Sequence, residues 1–405
     1  MGTRPDAQVG WFGLATIWFG GVVSVPALLV GATLIAGLPF GAALLWAALG
    51  FAVVGASMAL MGARAARHGA DTLTLAARPF GDRGARLVLG FAVGVPLMGW
   101  FGVQTAIAAA SVVRIGTMSF GLDLSMPWVS LALGMTMMAT AVVGFGALKW
   151  LNYVAVPCKL ALVVYGVTTA LQLGGLDRVL TWRPAPAQAL DPLTAIGIAV
   201  GFVAVAAVIA PDYARQARSS RDAALGCLLG LVPAAVLLAA CGALLSVTQG
   251  SHDIVEIFAR LGLPLTALTV LIAATWTTNV MNIYSAGLAL NGLAGGGQAS
   301  RRLATLAAGT AGSVMAAAGI LGHLTGFLSL LTLTVMPIAG VLIAAWWLQP
   351  RPPDAAAPRA WRAAGLLAWA VGAGSVLLME HPMRYLLGPA IAAALHLVVN
   401  TVARR

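Results

Sequence analysis

The sequence predicts an all-α integral membrane protein with twelve transmembrane helices, and three observations support that fold class. Of its 405 residues, 60% are hydrophobic and only 9% are charged, whereas soluble domains carry about 25% charged residues. The mean hydropathy is +0.94. The net charge of +11 comes from Lys and Arg residues in short gaps between long apolar runs. That distribution is typical of a membrane protein and argues against a nucleic-acid partner, which would need one basic face.

A bilayer-spanning helix needs about 20 mostly apolar residues, and twelve runs of the chain fit that requirement. They cover 11–36, 40–63, 87–113, 126–147, 151–174, 192–211, 223–247, 263–292, 303–322, 325–348, 361–379 and 385–402. The gaps are too short for a soluble domain, so we predict one transmembrane domain. It consists of two five-span halves, 11–174 and 192–348, and two further spans in 361–402.

The basic residues predict the orientation of these spans. If the N-terminus is cytoplasmic, the inner segments hold 17 of the 23 Lys and Arg residues and the outer segments hold 5, with Lys159 inside a span. Cytoplasmic loops are enriched in Lys and Arg. Both termini are therefore expected on the cytoplasmic side.

Two spans in corresponding positions of the halves carry residues that interrupt helices. Span 1 has Gly20-Gly21 followed by Pro26, and span 6 has Gly197 and Gly201. Span 10 also contains Pro337. Irregular backbone within a membrane is tolerated only where protein or a water-filled cavity satisfies it. Interruptions of spans 1 and 6 together predict a binding site near the middle of the membrane.

A candidate cation site lies in span 8. All twelve Asp and Glu residues fall in loops or at span ends, which argues against a proton relay through buried carboxylates. Ala274, Thr277 and Thr278 are spaced i, i+3, i+4 and share one helix face, where a carbonyl and two hydroxyls offer neutral oxygens to a hard cation. The alternative is that these threonines only bond to their own helix or to a neighbouring one.

A candidate substrate site lies in span 3. Trp100 and Gln104 are four residues apart, so an indole and an amide share one face and suit a flat, hydrogen-bonding heterocycle. The alternative is a packing Trp and a Gln that bonds a neighbouring helix. Further candidate substrate-binding residues are the buried amides of span 8, and an aromatic residue of span 6 with the glycine before it, namely Asn279, Asn282, Phe202 and Gly201.

Lys159 is the one charge in the middle of a span, where a charge costs about 2.5–3.5 kcal/mol on insertion scales. Its ammonium group either reaches the interface, supports or replaces the cation, or carries a proton after burial lowers its pKa. It is therefore a candidate coupling residue.

Other functional classes find less support in the sequence. Zinc-protease, serine-hydrolase and phosphate-loop motifs are absent, so an enzyme is not expected, and no organic cofactor is. A sensor would normally need a soluble domain, and a channel would typically show a ring of charges or a filter.

Five motifs in order carry a resemblance to a known family. They are Arg78-Pro79-Phe80-Gly81, Gly99-Trp100-Phe101-Gly102, Pro211-Asp212-Tyr213-Ala214-Arg215, Trp276-Thr277-Thr278-Asn279 and Met336-Pro337-Ile338-Ala339-Gly340-Val341. The chain resembles bacterial permeases of the nucleobase:cation symporter-1 family, which includes cytosine and hydantoin permeases. The resemblance implies a leucine-transporter-like fold in the bacterial inner membrane, with spans 1–5 and 6–10 as inverted repeats and helices 1 and 6 broken. It also implies a transporter, expected to act as a monomer, that imports a nucleobase-like heterocycle with a cation.

The resemblance also assigns residues to the two sites. The implied sodium ligands are the carbonyls of Gly20, Val23 and Ala274 and the hydroxyls of Thr277 and Thr278. The stacking tryptophan of the family falls on Trp100, and Gln104 matches an amide of the hydantoin permease.

The resemblance does not determine the substrate or the aromatic residue that span 6 contributes to the site. The family's helix 6 aromatic falls on Val203, so Phe202, next to Gly201, is turned by about 100° on a regular helix. On that basis, only unwinding would let Phe202 stack on a substrate. The segments 14–20 and 283–287 are also similar to a branch thought to import hydroxymethylpyrimidine. We expect a cytosine-type substrate, with hydroxymethylpyrimidine as the alternative.

Overall fold

The computed structural model describes residues 9–143, 146–262, 264–294, 297–349 and 359–402. Their regular secondary structure is helical, with one isolated bridge between Val9 and Ala217. The α-helices are α1 (Trp11–Val22), α2 (Val25–Gly37), α3 (Phe40–His68), α4 (Thr72–Phe80), α5 (Asp82–Leu89), α6 (Val95–Phe120), α7 (Met126–Val143), α8 (Gly146–Gln172), α9 (Gly175–Thr181), α10 (Pro192–Ala214), α11 (Ser220–Gln249), α12 (Ile254–Ala259), α13 (Pro264–Ala294), α14 (Gln298–Ala317), α15 (Leu324–Ile343), α16 (Ala363–Leu377) and α17 (Arg384–Val402). Short π-helical turns, Gly90–Gly94 and Ala344–Leu348, join α5 to α6 and extend α15.

The helices of the described segments confirm a multi-span membrane protein. Seven are long and apolar enough to cross a bilayer, or nine if each of two bent pairs is counted as one span. Each of the twelve predicted runs contains a helix. However, α7 and α16 are shorter apolar helices, and α14 is not among the seven.

The predicted interruption of span 1 is present. Helix α1 ends at Val22, α2 begins at Val25, and the two axes are bent by 67°. Pro26 has no N–H to offer the carbonyl of Val22 one turn back. The N–H of Ala27 donates to the carbonyl of Ser24 at 3.1 Å instead of to that of Val23. The helix therefore breaks before the proline and restarts with it in the first turn.

The predicted interruption of span 6 is wrong, because α10 runs without a break from Pro192 to Ala214. Its glycines serve close packing instead. A Cβ on Gly201 would lie 1.9 Å from the carbonyl oxygen of Leu328, and one on Gly197 would lie 2.5 Å from the ring of Tyr385. Thr332 of α15 also donates a hydrogen bond to the carbonyl of Gly197, at 2.6 Å.

The helices form two packed groups that meet at the candidate site. In the first group, α3 packs against α10 and α11, α1 and α2 lie along α11, and α10 packs against α15. In the second, α13 and α14 pack against α6, and α14 packs against α7. Trp100 lies on α6 of the second group, and its ring contacts Phe202 on α10 and Phe327 on α15. The candidate substrate residue therefore lies between the two groups.

The proline-aspartate motif at the end of α10 holds α4 in place. Asp212 accepts a 2.8 Å hydrogen bond from the N–H of Thr72, and Arg215 lies 3.5 Å from Asp71. Partial burial raises the pKa of the Asp71 carboxyl, but hydrogen bonds from Thr74 and the charge of Arg215 outweigh it, so that this pKa lies below its usual range. These contacts join the loop after α3 to the end of α10.

Candidate functional site

Trp100 lies at the centre of an aromatic cluster. Its ring centroid is 5.7 Å from that of Phe202 and 5.4 Å from that of Phe327, both in edge-to-face geometry. Phe202 also contacts Phe51, at 6.3 Å. Edge-to-face pairs stabilise rings beyond the area that they bury. The cluster therefore links α3, α6, α10 and α15 around one indole that is 8% exposed.

Phe202 reaches this cluster from a regular helix. The ring of Phe202 contacts Trp100 although α10 is continuous, so this contact needs no unwinding. Stacking of Phe202 on a substrate stays a prediction. A long aromatic side chain can span the offset that one residue creates on the helix surface. The close approach at Gly201, one residue earlier, also brings α10 and α15 together at this level.

The sequence did not indicate Phe327. Its ring packs directly over Gly99, where a Cβ would lie 2.3 Å from ring carbon Cε2. The glycine beside Trp100 therefore makes room for an aromatic ring of α15. Only the missing side chain of Gly99 hints at this contact, and it does not identify the partner.

Gln104 is an unpaired amide in a buried position. It lies one helical turn after Trp100 and is 2% exposed. Among the hydrogen bonds of the described residues, none involves its side chain. Gln104 therefore has unused hydrogen-bonding capacity beside the aromatic cluster.

The two asparagines of α13 occupy different environments. Asn279 donates to the carbonyl of Phe101 at 3.0 Å and to the hydroxyl of Thr105 at 2.8 Å. It thus joins α13 to a face of α6 adjacent to the one that carries Trp100 and Gln104. Asn282 is half-buried and lies four residues after Thr278. The Oδ1 atom of Asn279 is buried and has no hydrogen-bond partner, so its role as a substrate contact stays a prediction.

Gly201 is likewise used for packing. Its α-carbon faces the backbone of α15 at Leu328, and its own backbone lies within α10. It shapes the wall behind the aromatic cluster and leaves no open position for a ligand at its Cα.

Three oxygens of α13 come together as the spacing predicted. The hydroxyls of Thr277 and Thr278 both donate to the carbonyl of Ala274, at 3.0 and 3.1 Å. Each hydroxyl keeps its lone pairs when it donates its hydrogen. The set is chemically suited to a hard cation, and it also satisfies the alternative that these threonines bond their own helix.

The break between α1 and α2 provides further oxygens. The carbonyls of Gly20 and Val23 accept no backbone hydrogen bond in the described part of the chain. Val23 and Ala274 line one small cavity, whose other side chains are apolar except for that of Ser24. Gly20 is exposed and does not line it. The structure therefore brings Val23 to Ala274, and leaves Gly20 at the open side of the break.

The side chain of Lys159 lies outside the described residues, although its backbone is part of α8. Its candidate coupling role therefore stays a prediction. Within the described ranges, no three His, Cys, Asp or Glu side chains come close enough to hold a metal ion.

Comparison with known proteins identifies the family. The family described as "Permease for cytosine/purines, uracil, thiamine, allantoin" matches residues 6–355. The chain belongs to this permease family. It is therefore a membrane transporter of the nucleobase:cation symporter-1 type and not an enzyme.

The permease is similar to one curated relative over most of its length. Cytosine permease of Escherichia coli (strain K12) is 29% identical over 291 residues, which are 70% of this chain and 67% of that relative. This identity supports a permease for nucleobase-like substrates.

The permease also shares its fold with a solved transporter. The inward-facing conformation of Mhp1 matches with a TM-score of 0.83 at 23% identity, over 98% of this chain and 92% of that one. A closed conformation of Mhp1, a nucleobase-cation-symport-1 family transporter with bromovinylhydantoin bound, matches with a TM-score of 0.76 at 24% identity, over 99% and 94%. These likenesses show the Mhp1 fold, which is leucine-transporter-like.

Proposed function

We propose that this permease imports a flat pyrimidine-like nucleobase of the cytosine type together with sodium. The observation that carries the proposal is Gln104, a buried amide without a hydrogen-bond partner among the described residues, one turn from Trp100. A nucleobase offers both an aromatic face and ring-edge donors and acceptors. It would stack on Trp100 against Phe202 and bond Gln104, while the half-buried Asn282 remains a further candidate contact.

Sodium is the second substrate of this proposal. Its ligands would be the carbonyls of Val23, Gly20 and Ala274 and the hydroxyls of Thr277 and Thr278. The convergence of the last three oxygens and the cavity shared by Val23 and Ala274 support this assignment. An ion held between the broken first span and α13 would stabilise one arrangement of the two helix groups. Coupling arises if the nucleobase binds the same arrangement more tightly.

The proposed topology follows the twelve apolar runs. Residues 11–174 and 192–348 would form two inverted five-span repeats, and 361–402 would add two spans. Rocking of one helix group against the other would expose the site to each side in turn. Both termini would face the cytoplasm, and a monomer would suffice because the proposed site lies within one chain.

A ligand screen by thermal unfolding tests the proposal. The purified permease would be heated with cytosine, other nucleobases or hydroxymethylpyrimidine, in sodium or in potassium chloride. A ligand stabilises the state that it binds, so cytosine should raise the melting temperature, and more so in sodium. A larger shift with hydroxymethylpyrimidine would favour that substrate, and equal shifts in both salts would count against sodium.

A substitution links the ligand to the proposed site. Gln104→Leu should weaken binding roughly tenfold or more, because a polar atom of the ligand loses its buried partner. Ser111→Ala is the matched control on the same helix, since Ser111 bonds only the carbonyl of Ile107. Unchanged affinity in Gln104→Leu would remove this residue from the site.

A further inference from the structure

Four arginines form a basic surface at the end of the molecule that carries Val9. We call it the arginine patch and define it as Arg83, Arg86, Arg359 and Arg362. Arg83 and Arg86 are three residues apart on α5, and both are exposed. Residues three apart share a helix face. Arg359 and Arg362 precede α16, the first exposed and the second half-buried.

Backbone hydrogen bonds join the two pairs of arginines, although more than 270 residues separate them in the chain. The N–H of Asp82 donates to the carbonyl of Arg359 at 3.0 Å, and the N–H of Arg362 donates to that of Phe80 at 2.9 Å. Gly81 permits this contact, since it has a φ of +79° and a Cβ there would lie 2.7 Å from the Arg359 carbonyl oxygen. The two pairs are therefore held together by the fold, and Phe80 and Gly81 of the arginine-proline-phenylalanine-glycine motif make the contact.

The positive charge of the patch is not neutralised within the described residues. None of its four guanidinium groups forms a salt bridge there, and Asp82, the one carboxylate adjacent in sequence, is itself exposed. The Nε atom of Arg362 is buried and has no hydrogen-bond partner. The patch therefore lacks an anionic partner within the described residues. A guanidinium presents five donors that match the oxygens of a phosphate group, so a phosphate would suit this surface.

The patch lies where two apolar helices begin. The span of residues 82–120 starts at α5, and α16 starts directly after Arg362. Exposed apolar side chains follow the charges on both helices, namely Leu87 on α5 and Leu367 on α16. Trp361, also exposed, packs against Gly84. Tryptophan is enriched at the level of lipid headgroups. This arrangement of charges beside exposed leucines and a tryptophan matches a lipid. The headgroup would contact the arginines, and the acyl chains would contact the apolar side chains.

We propose that the arginine patch binds the phosphate headgroup of an anionic phospholipid, whose acyl chains lie along Leu87 and Leu367. Each basic residue near a membrane surface strengthens the attraction to anionic lipid about fivefold. A bound lipid would bridge α5 and the segment before α16, and so hold the last two helices against the start of the third span. This inference does not depend on which nucleobase is carried.

The test measures lipid binding with the full-length permease in nanodiscs. Melting temperatures would be compared in phosphatidylcholine alone and with added phosphatidylglycerol, and retained lipids would be counted by native mass spectrometry. The triple variant Arg83→Gln, Arg359→Gln and Arg362→Gln is compared with Arg67→Gln, Arg221→Gln and Arg302→Gln. The control removes the same charge from exposed positions elsewhere on the chain.

Phosphatidylglycerol should raise the melting temperature of the wild type and of the control. The patch variant should lose that shift, with at least about tenfold weaker retention of the lipid, while its melting temperature in phosphatidylcholine equals that of the control. An equal loss of the melting-temperature shift in both variants would show that the effect depends only on net charge, and it would overturn the proposal. The same shift with inorganic phosphate in place of the lipid would also overturn it.

Discussion

At the level of single residues, neighbouring threonines of α13 differ in their position relative to the proposed sodium site. Thr277 and Thr278 direct their hydroxyls to the carbonyl of Ala274. Thr275 bonds the carbonyls of Leu271 and Ile272 and is fully buried. All three bond to their own helix, so hydrogen bonding alone does not distinguish them. Their spacing from Ala274, which lines the cavity at the break of span 1, does distinguish them. Thr277 and Thr278 follow this residue by three and four positions and share its helix face, whereas Thr275 is its direct neighbour in the chain.

That difference makes Thr278→Ala a test of the proposed sodium site. Removal of its hydroxyl deletes one of five proposed oxygen ligands, so sodium-stimulated uptake should fall strongly while the protein stays folded. Uptake would be measured in proteoliposomes with and without an inward sodium gradient. Thr275→Ala is the matched control and should retain its sodium dependence. Unaltered sodium stimulation in Thr278→Ala would refute the site.

At the scale of whole helices, small residues determine how closely the permease packs. Gly201 brings α10 onto the backbone of α15, and this contact lies directly behind Phe202 and Trp100. Helix crossings at glycine allow backbones to approach closely in membranes. The position of the aromatic cluster thus depends on a residue that has no side chain.

Gly201→Ala should therefore destabilise the permease by about 1–3 kcal/mol, the usual cost of overpacking a well-packed interior. The physical reason is that the new Cβ would meet the Leu328 carbonyl at 1.9 Å and push α10 and α15 apart. Thermal unfolding of the purified protein measures the effect. Gly374→Ala in α16 is the control, since a Cβ there meets no atom within 4 Å, and it should not lower the melting temperature. Similar melting temperatures for both variants would contradict the packing role.

At the scale of the whole molecule, the distribution of charge predicts how the permease lies in the membrane. The 17 basic residues of one side include the arginine patch and Arg215, which pairs with Asp71. The opposite side holds 5, among them Arg178 and Arg183. This asymmetry predicts that both termini are cytoplasmic.

Reporter fusions check this orientation. Green fluorescent protein fused after Arg405 should fluoresce, because it folds in the cytoplasm, whereas alkaline phosphatase at the same position should be inactive. Fusions that end after Arg183, in the segment before α10, serve as the internal control and should give the reverse pattern. An active phosphatase after Arg405 would show that the orientation is inverted.

Features that depend on local chemistry could be predicted from the sequence. The membrane class follows from composition, and the break in span 1 follows from a proline that lacks an N–H. The Ala274–Thr277–Thr278 face and the Trp100–Gln104 pair follow from the helical period, which places residues three and four apart side by side.

Features that depend on contacts between distant helices could not be predicted from the sequence and required the packed structure. The glycines of span 6 are compatible with either a helix break or a packing surface. The close approach of the Leu328 backbone to Gly201 shows that they serve packing. The partners of the Asn279 amide nitrogen, Phe101 and Thr105, lie more than 170 positions earlier in the chain, so no local pattern predicts them. Phe327 could not be identified as a partner of Trp100, because the two residues are more than 220 positions apart in the chain. Local periodicity shows which residues share a face, whereas the packing of other helices decides what that face meets.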